Sequence, residues 1–157
     1  MQIMKMHDTD LKQVCAIESE IFSSPWSEKS FSEAINKDEN IYLVAKEGEK
    51  ILGYCGLWGM PPEGEICNVA VQENVRRQGV ARHLLMEAEK LALKQGIEDF
   101  FLEVRESNIS ARRLYETLGY RQISIRKNYY TEPVEDALIM QKTTVKSTTR
   151  QTGDAIL

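Results

Sequence analysis

Apolar positions along the chain change period several times, and each change marks an element. Leu11, Val14, Cys15, Ile21 and Phe22 recur at helical spacing and predict an amphipathic helix over residues 10–22. His7-Asp8-Thr9-Asp10 supplies its N-cap candidates, and Ser23-Ser24-Pro25-Trp26 breaks it. Ser27 is a suitable N-cap for a second helix over 28–37, with Phe31, Ala34 and Ile35 on one face. The period then shortens to two or gives way to solid apolar runs. Residues 41–46, 51–59 and 65–71 read as three successive strands, separated by the turn sequences Glu47-Gly48-Glu49-Lys50 and Pro61-Pro62-Glu63-Gly64. Helical spacing returns in Val80, Leu84, Leu85, Ala88, Leu91 and Ala92, so residues 79–96 form a helix that Gly96 stops. Residues 99–105 form a strong strand. Asn108 caps a helix over 109–118 that ends at Gly119, and 120–128 and 135–142 are two last strands. With a short strand at 2–6, the count is seven strands and four helices.

Strand-helix-strand passages argue for parallel crossovers in part of the sheet, and the leading hairpins argue for an antiparallel part. The expected fold is therefore α/β (α+β): one mixed, mostly antiparallel seven-stranded sheet with helices on both faces. No linker-like stretch or internal repeat interrupts residues 1–142, which are expected to form a single domain. Residues 143–157 carry five Thr and one Ser and read as a polar tail outside the core.

Composition narrows the class. With 157 residues, 42% hydrophobic and 28% charged, the chain has the make-up of a soluble globular domain and excludes collagen, wholly disordered and disulfide-scaffold classes. The longest apolar run, Ile41–Ala45, is far short of the ~18 residues that suggest a membrane span. The start turns polar too soon for a signal peptide. A net charge of −4 argues against a dedicated nucleic-acid binder and mildly favours basic partners. Cys15, Cys55 and Cys67 are odd in number, fit no zinc spacing and lie far from His7 and His83, so neither a metal site nor a disulfide framework is expected. A reducing, cytoplasmic setting is the corresponding expectation.

Three places can carry chemistry. Arg76-Arg77-Gln78-Gly79-Val80-Ala81 joins a strand to a helix. A glycine there lets backbone N–H groups converge on an anion, the helix N-terminus adds partial positive charge, and the arginines add full charges. The bland alternative is a tight turn with a solvated charge run. The sequence is neither a dinucleotide-binding fingerprint nor a P-loop, since G-x-G-x-x-G and Gly-Lys-Ser/Thr are both absent. Glu103 sits within the apolar run Phe100–Val104 and shares a strand face with Phe101 and Arg105. It is either the partner of Arg105 in a salt bridge or a general base at the mouth of a cleft. Tyr115 belongs to the stripe Ala111, Leu114, Tyr115, Leu118. It either packs in the core or donates a proton as a general acid. Asn108 reads as a helix cap.

Taken together, these segments resemble the GCN5-related N-acetyltransferase family over roughly residues 2–142. Asn68-Val69-Ala70-Val71 is similar to the family's fourth strand and Arg76–Ala81 to its pyrophosphate loop. Leu102-Glu103-Val104-Arg105 with Asn108 and Ala111–Tyr120 is similar to its fifth strand and fourth helix. Pro25-Trp26-Ser27-Glu28-Lys29-Ser30-Phe31 and Arg126-Lys127-Asn128-Tyr129-Tyr130 narrow the likeness to bacterial members that acetylate the N-terminal alanine of ribosomal protein bS18. The resemblance implies acetyl-CoA as cosubstrate, held by Val69, Ala70, Val71, Arg76, Arg77, Gln78, Gly79, Val80, Ala81, Arg82 and Asn108, with no metal. It implies Glu103 as base and Tyr115 as acid in a direct transfer. It also implies that Trp26, Tyr129 and Tyr130 flank the acceptor, with Trp26 between the first two helices and the tyrosines in the connection between the last two strands. The implied partner is the bS18 N-terminus, with no nucleic acid and no membrane. Readings from other classes are a small-amine acetyltransferase of the same fold, a non-catalytic CoA-binding module and a nucleotide-binding protein.

Overall fold

The structure is a computed structural model that describes residues 1–144; the sequence beyond, which includes most of the expected tail, lies outside the described residues. Seven strands form one sheet in the order β1-β2-β3-β4-β5-β7-β6. They are β1 (Gln2–Lys5), β2 (Ile41–Glu47), β3 (Lys50–Met60), β4 (Glu63–Val71), β5 (Asp99–Arg105), β6 (Arg121–Thr131) and β7 (Val134–Thr143). Every neighbouring pair is antiparallel except β4 with β5. The helices are α1 (Leu11–Ile21), α2 (Glu28–Ile35), α3 (Val80–Lys94) and α4 (Ile109–Thr117). The expected fold class holds. Thr143, expected in the tail, pairs with Asp99 at the end of β7, because Thr has the β-branched shape that suits a pleated surface.

The solid run Ile41–Ala45 explains itself once both faces of β2 are seen to be covered. Tyr42 and Val44 face a core built with Val14, Ile17, Phe31, Ala34, Ile51 and Tyr54 under α1 and α2. Ile41, Leu43 and Ala45 face the larger core of α3 and α4, with Leu84, Leu85, Ala88, Phe100, Leu102 and Val104. Strand alternation thus sorts a continuous apolar segment onto two sides.

Phe31 anchors the α1/α2 layer. It is fully buried and meets Tyr42 and Tyr54 edge-on, at centroid distances of 6.5 and 5.6 Å, while Trp26 leans on it at 5.2 Å. Gly56 is required for this arrangement, since a Cβ there would stand 2.4 Å from the Tyr42 ring. Ser27 caps α2 as expected, its hydroxyl accepting from the Ser30 N–H at 3.1 Å.

On the opposite side, buried Glu89 of α3 accepts hydrogen bonds from Tyr120 Oη and Lys142 Nζ, both at 2.7 Å. These bonds fasten α3 to the β6–β7 half of the sheet.

Replacing Phe31 by alanine removes the centre of the aromatic cluster. Large-to-small changes of a buried aromatic typically cost about 3–5 kcal/mol. Urea denaturation of Phe31→Ala is expected to show a loss in this range, and a loss below about 1.5 kcal/mol would place the anchor of α2 elsewhere.

Candidate active site

The site begins where two parallel strands part. β4 and β5 are paired only from Glu63↔Asp99 to Ile66↔Leu102. Beyond that point Asn68–Val71 stay with β3 and Glu103–Arg105 stay with β7, so the strands open into a wedge. Cys67 is the extra residue of a bulge, since Leu57 pairs with Ile66 and Gly56 with Asn68. The carbonyl of Val71 accepts from Arg76 Nε at 3.2 Å instead of from β3. By strand alternation, the backbone groups of Val69 and Val71 point away from β3 and into the wedge, with no strand partner on that side. A cleft of about 750 Å3 occupies the wedge, bounded by Glu18, Trp26, Asn68, Glu103, Tyr115 and Tyr130 among others.

Arg76–Arg82 lies at the α3 end of β4, as the sequence predicts. Gly79 has φ +82° and Arg77 has φ +64°, so the chain makes two left-handed steps before α3 starts. Only glycine takes such a conformation without strain. His83 directs both its backbone N–H and its ring Nδ1 at the Gly79 carbonyl, at 3.0 and 2.7 Å. The amides of Val80, Ala81 and Arg82 precede the first intrahelical bond and remain available to an anion. The side chains of Arg76, Arg77, Gln78 and Arg82 are exposed, and Ala70, Val71 and Val80 are buried beneath them. A chain of amides, a positive helix end and guanidinium groups with no carboxylate partner among the described residues fits the diphosphate of a coenzyme A ester. Asn108 is the N-cap of α4, its side-chain oxygen accepting from the Ala111 N–H at 3.2 Å, and it also lines the cleft.

Glu103 and Tyr115 come to the same cleft from different elements. Glu103 does not pair with Arg105. It pairs with Arg126 of β6, Nη1 to Oε1 at 3.2 Å, while Arg105 turns to Glu135 at 3.3 Å and to the Pro133 carbonyl at 3.2 Å. Separation along β5 puts both side chains on one face, but each finds its countercharge on the β6–β7 hairpin. Tyr115 belongs to the core around α3 and also borders the cleft. Burial, with Tyr130 adding, pushes its phenol up to about 12, so it keeps its proton throughout the physiological range.

Trp26 flanks the cleft between α1 and α2, stacked between Phe31 and Trp58, the latter at 5.7 Å. Its backbone N–H donates to Glu18 Oε1 at 3.3 Å. Tyr129 and Tyr130 are not in a connection: they lie inside β6. Between Arg126↔Ala137 and Tyr130↔Glu135 the strand carries three residues against one, with Asn128 at φ +54° and its N–H bonded to Asp136 Oδ1 at 2.9 Å. This bulge swings the tyrosines over the cleft, and the true turn is Glu132-Pro133. Arg105 stacks 4.2 Å from the Tyr130 ring centroid. Tyr129 faces Glu103, and that interaction, ahead of partial burial, holds its phenol above the ordinary range.

Several residues of the site escape sequence reasoning. Asn68 has a buried side-chain oxygen, and Glu18 a buried carboxylate oxygen, neither with a hydrogen-bond partner among the described residues. Burial pushes the Glu18 carboxyl up. Arg126 is visible in sequence only as one charge in an exposed strand. Tyr42 receives the Trp58 indole N–H at 2.7 Å and lies 3.5 Å from Cys67 Sγ, a relay that no spacing rule reveals.

Comparison with known proteins agrees with this geometry. The model of the Acetyltransferase (GNAT) family matches residues 11–120. The [Ribosomal protein bS18]-alanine N-acetyltransferase of Escherichia coli (strain K12) is 36% identical over 141 residues, 88% of this chain and 94% of that protein. The protein of the same name from Haemophilus ducreyi (strain 35000HP / ATCC 700724) is 33% identical over 138 residues, covering 85% and 93%. The crystal structure of the ribosomal-protein-S18-alanine N-acetyltransferase from Escherichia coli superposes with a TM-score of 0.83 at 33% identity, over 92% of this chain and 94% of that one. The chain therefore belongs to the acetyltransferase (GNAT) family and is an N-acetyltransferase that uses acetyl-CoA.

Proposed function

We propose that the protein acetylates the N-terminal alanine of ribosomal protein bS18, in the cytoplasm, by direct transfer in a ternary complex. The observation that carries this reading is the meeting of Glu103 and Tyr115 at one cleft, between Trp26 on one wall and Tyr129 and Tyr130 on the other. The names of the relatives supply the acceptor. Aromatic side chains on both sides of the cleft suit a peptide N-terminus with a small first side chain.

In this reading the Arg76–Arg82 loop and the open backbone edge of Val69–Val71 hold acetyl-CoA, which supplies an activated thioester. Asn108 caps α4 and borders the same space. Glu103, directly or through a water, takes a proton from the acceptor α-amine. That amine has a pKa of about 7.7–8.0, so freeing it near neutrality costs only about 1 kcal/mol and asks for no unusual base. As the amine forms its N–C bond and the C–S bond breaks, the wedge-facing N–H groups of β4 steady the charge on the acyl oxygen. Tyr115 gives its proton to the leaving thiolate and recovers one from solvent. Arg126 and Tyr129 keep the Glu103 carboxylate in place.

Four measurements test the assignment. Tyr115→Phe keeps the ring and removes the proton, so kcat is expected to fall by about 10²–10⁴-fold with KM for acetyl-CoA little changed. Because the Tyr115 phenol titrates only near 12, the wild-type rate is expected to rise as the acceptor amine deprotonates and then stay level to pH 10. A descending limb near pH 9 that persists in Tyr115→Phe assigns the acid step to another group.

Gly79→Val places a branched side chain at φ +82°, with a Cβ only 3.4 Å from the His83 ring. Calorimetry is expected to show CoA binding lost, and unchanged affinity in the folded variant removes the loop from the site.

The acceptor is tested by competition. A lysine ε-amine has a pKa near 10.4, so freeing it at neutrality costs roughly 3 kcal/mol more than freeing an α-amine, a handicap of about a hundredfold. A peptide copying the start of bS18 is expected to be acetylated on its α-amine, with an internal lysine or spermidine far behind. Equal kcat/KM for either competitor rejects the N-terminal reading.

A further inference from the structure

A second cavity opens beside the cleft and takes no part in the mechanism above. It has a volume of about 450 Å3 and shares Glu65, Leu102 and Glu103 with the cleft, so the two spaces adjoin at these residues. Its floor is sheet: Trp58 pairs with Glu65 and Glu65 with Phe101, on the part of the α1/α2 face that lies beyond those helices. Its rim carries Glu63 and Glu65 on one side and Arg126 and Ile139 on the other. Trp58 and Met60, 38% and 81% exposed, extend an apolar surface beyond it.

Charge in this trough is unbalanced. Arg126, its one cation, is already paired with Glu103. Neither Glu63 nor Glu65 lies within ion-pair distance of a cation among the described residues. Partial burial and then the Glu103 charge hold the Glu65 carboxyl above its ordinary range, which a cation placed beside it relieves. An exposed apolar floor rimmed by unneutralised carboxylates suits a chain segment with a long aliphatic stem and a positive end.

The sheet also sets a scale. Glu65 is one strand over from Phe101 and Phe101 is two residues before Glu103, which puts the Cα atoms of Glu65 and Glu103 about 8 Å apart. Glu63 is two residues further out. An extended peptide advances about 3.3–3.6 Å per residue. With its α-amine at Glu103, its second and third residues pass Glu65.

Resting on the acceptor reading above, we propose that this trough is the subsite for the residues that follow the acetylated one, and that Glu65, assisted by Glu63, selects a peptide with arginine or lysine at position 2 or 3. The apolar floor of Trp58 and Phe101 receives the aliphatic stem, and the carboxylates receive the charged end. The acceptor is thereby chosen twice, by the aromatic-flanked cleft for its first side chain and by an acidic trough for its basic continuation.

The experiment uses the full chain and a set of alanine-starting peptides that differ only at positions 2 and 3, each bearing Arg, Lys, Ser, Leu or Glu. CoA release is followed at low salt and at 0.5 M salt. In the wild type, kcat/KM is expected to be about tenfold higher for Arg or Lys than for Glu, through KM, and the ratio is expected to shrink at high salt. In the double variant Glu63→Gln/Glu65→Gln the ratio is expected to approach one, with KM for acetyl-CoA unchanged. Should the double variant lose its native circular dichroism, Glu63→Gln alone, at an exposed position, is expected to lower the ratio part of the way. An equal rate for Arg and Glu peptides in the wild type overturns the trough while leaving the N-terminal reading standing. A preference that survives unchanged in the variants overturns it too. If no alanine-starting peptide of any composition is acetylated, the N-terminal reading itself fails and takes the trough with it.

Discussion

The parting of β4 and β5 after four paired residues is the constraint on which the rest of the molecule depends. Two parallel strands that stayed together would satisfy each other's backbone and leave nothing to bind with. Once they diverge, the β4 edge from Val69 to Val71 carries amide groups that a ligand must complete, because buried backbone donors and acceptors are almost always paired. The separation is held from both sides. β3 keeps β4 through Gly53↔Val71, and β7 keeps β5 through Arg105↔Ala137. On the α3 side, Glu89 joined to Tyr120 and Lys142 holds the β6–β7 half against the helix that carries the anion loop. The wedge is thus set by the sheet itself and asks for no flexible lid.

Divergence also explains why the two groups proposed to carry the protons can differ so much while standing at one cleft. Tyr115 approaches from α4, embedded among Leu118, Tyr120 and Val104, where desolvation disfavours the phenolate. Glu103 approaches from the strand face on the wetter side, beside Arg126 and Tyr129, which support its charge. One environment keeps a proton on the phenol, and the other sets a carboxylate beside a guanidinium. Both follow from which face of β5 each neighbour occupies. The alternation of buried and half-buried residues along Asp99–Arg105 is the local expression of that division.

Much of this was legible from the sequence, for definite reasons. Period two and period 3.6 are strong signals, so all seven strands and four helices appear at nearly their true bounds. Gly79 and Ser27 announce themselves because only certain residues tolerate a left-handed step or cap a helix well. What stayed hidden depends on contacts distant in sequence. Glu103 and Arg105 are neighbours on one face, yet each is neutralised by the hairpin about 20 to 30 residues on, and no local rule predicts which partner wins. The β6 bulge is hidden for a related reason. Arg126-Lys127-Asn128-Tyr129-Tyr130 reads as a strand running into a turn, because polar residues with Asn usually end a strand. In the fold, the Asp136 carboxylate accepts the Asn128 N–H and lets the strand absorb the extra residues and continue.

The same bulge ties the aromatic wall to the electrostatics of the acceptor side. By placing Tyr129 and Tyr130 over the cleft, it brings Arg126 onto Glu103 and Arg105 under Tyr130. Those two arginines neutralise the inner end of the proposed acceptor path, where on that reading a carboxylate accepts a proton without also trapping a cation. Further out, past Phe101, Glu65 and Glu63 have no ion-pair partner among the described residues, and Arg126 on the same rim is paired with Glu103. The path therefore runs from a charge-balanced inner end to an acidic outer end. On the proposed reading, a positively charged peptide gains most from the outer part, before its α-amine reaches Glu103. Attraction is strongest where binding begins and weakest where the proton leaves, so the binding carboxylates do not hold the ammonium form at the point where chemistry needs the free amine.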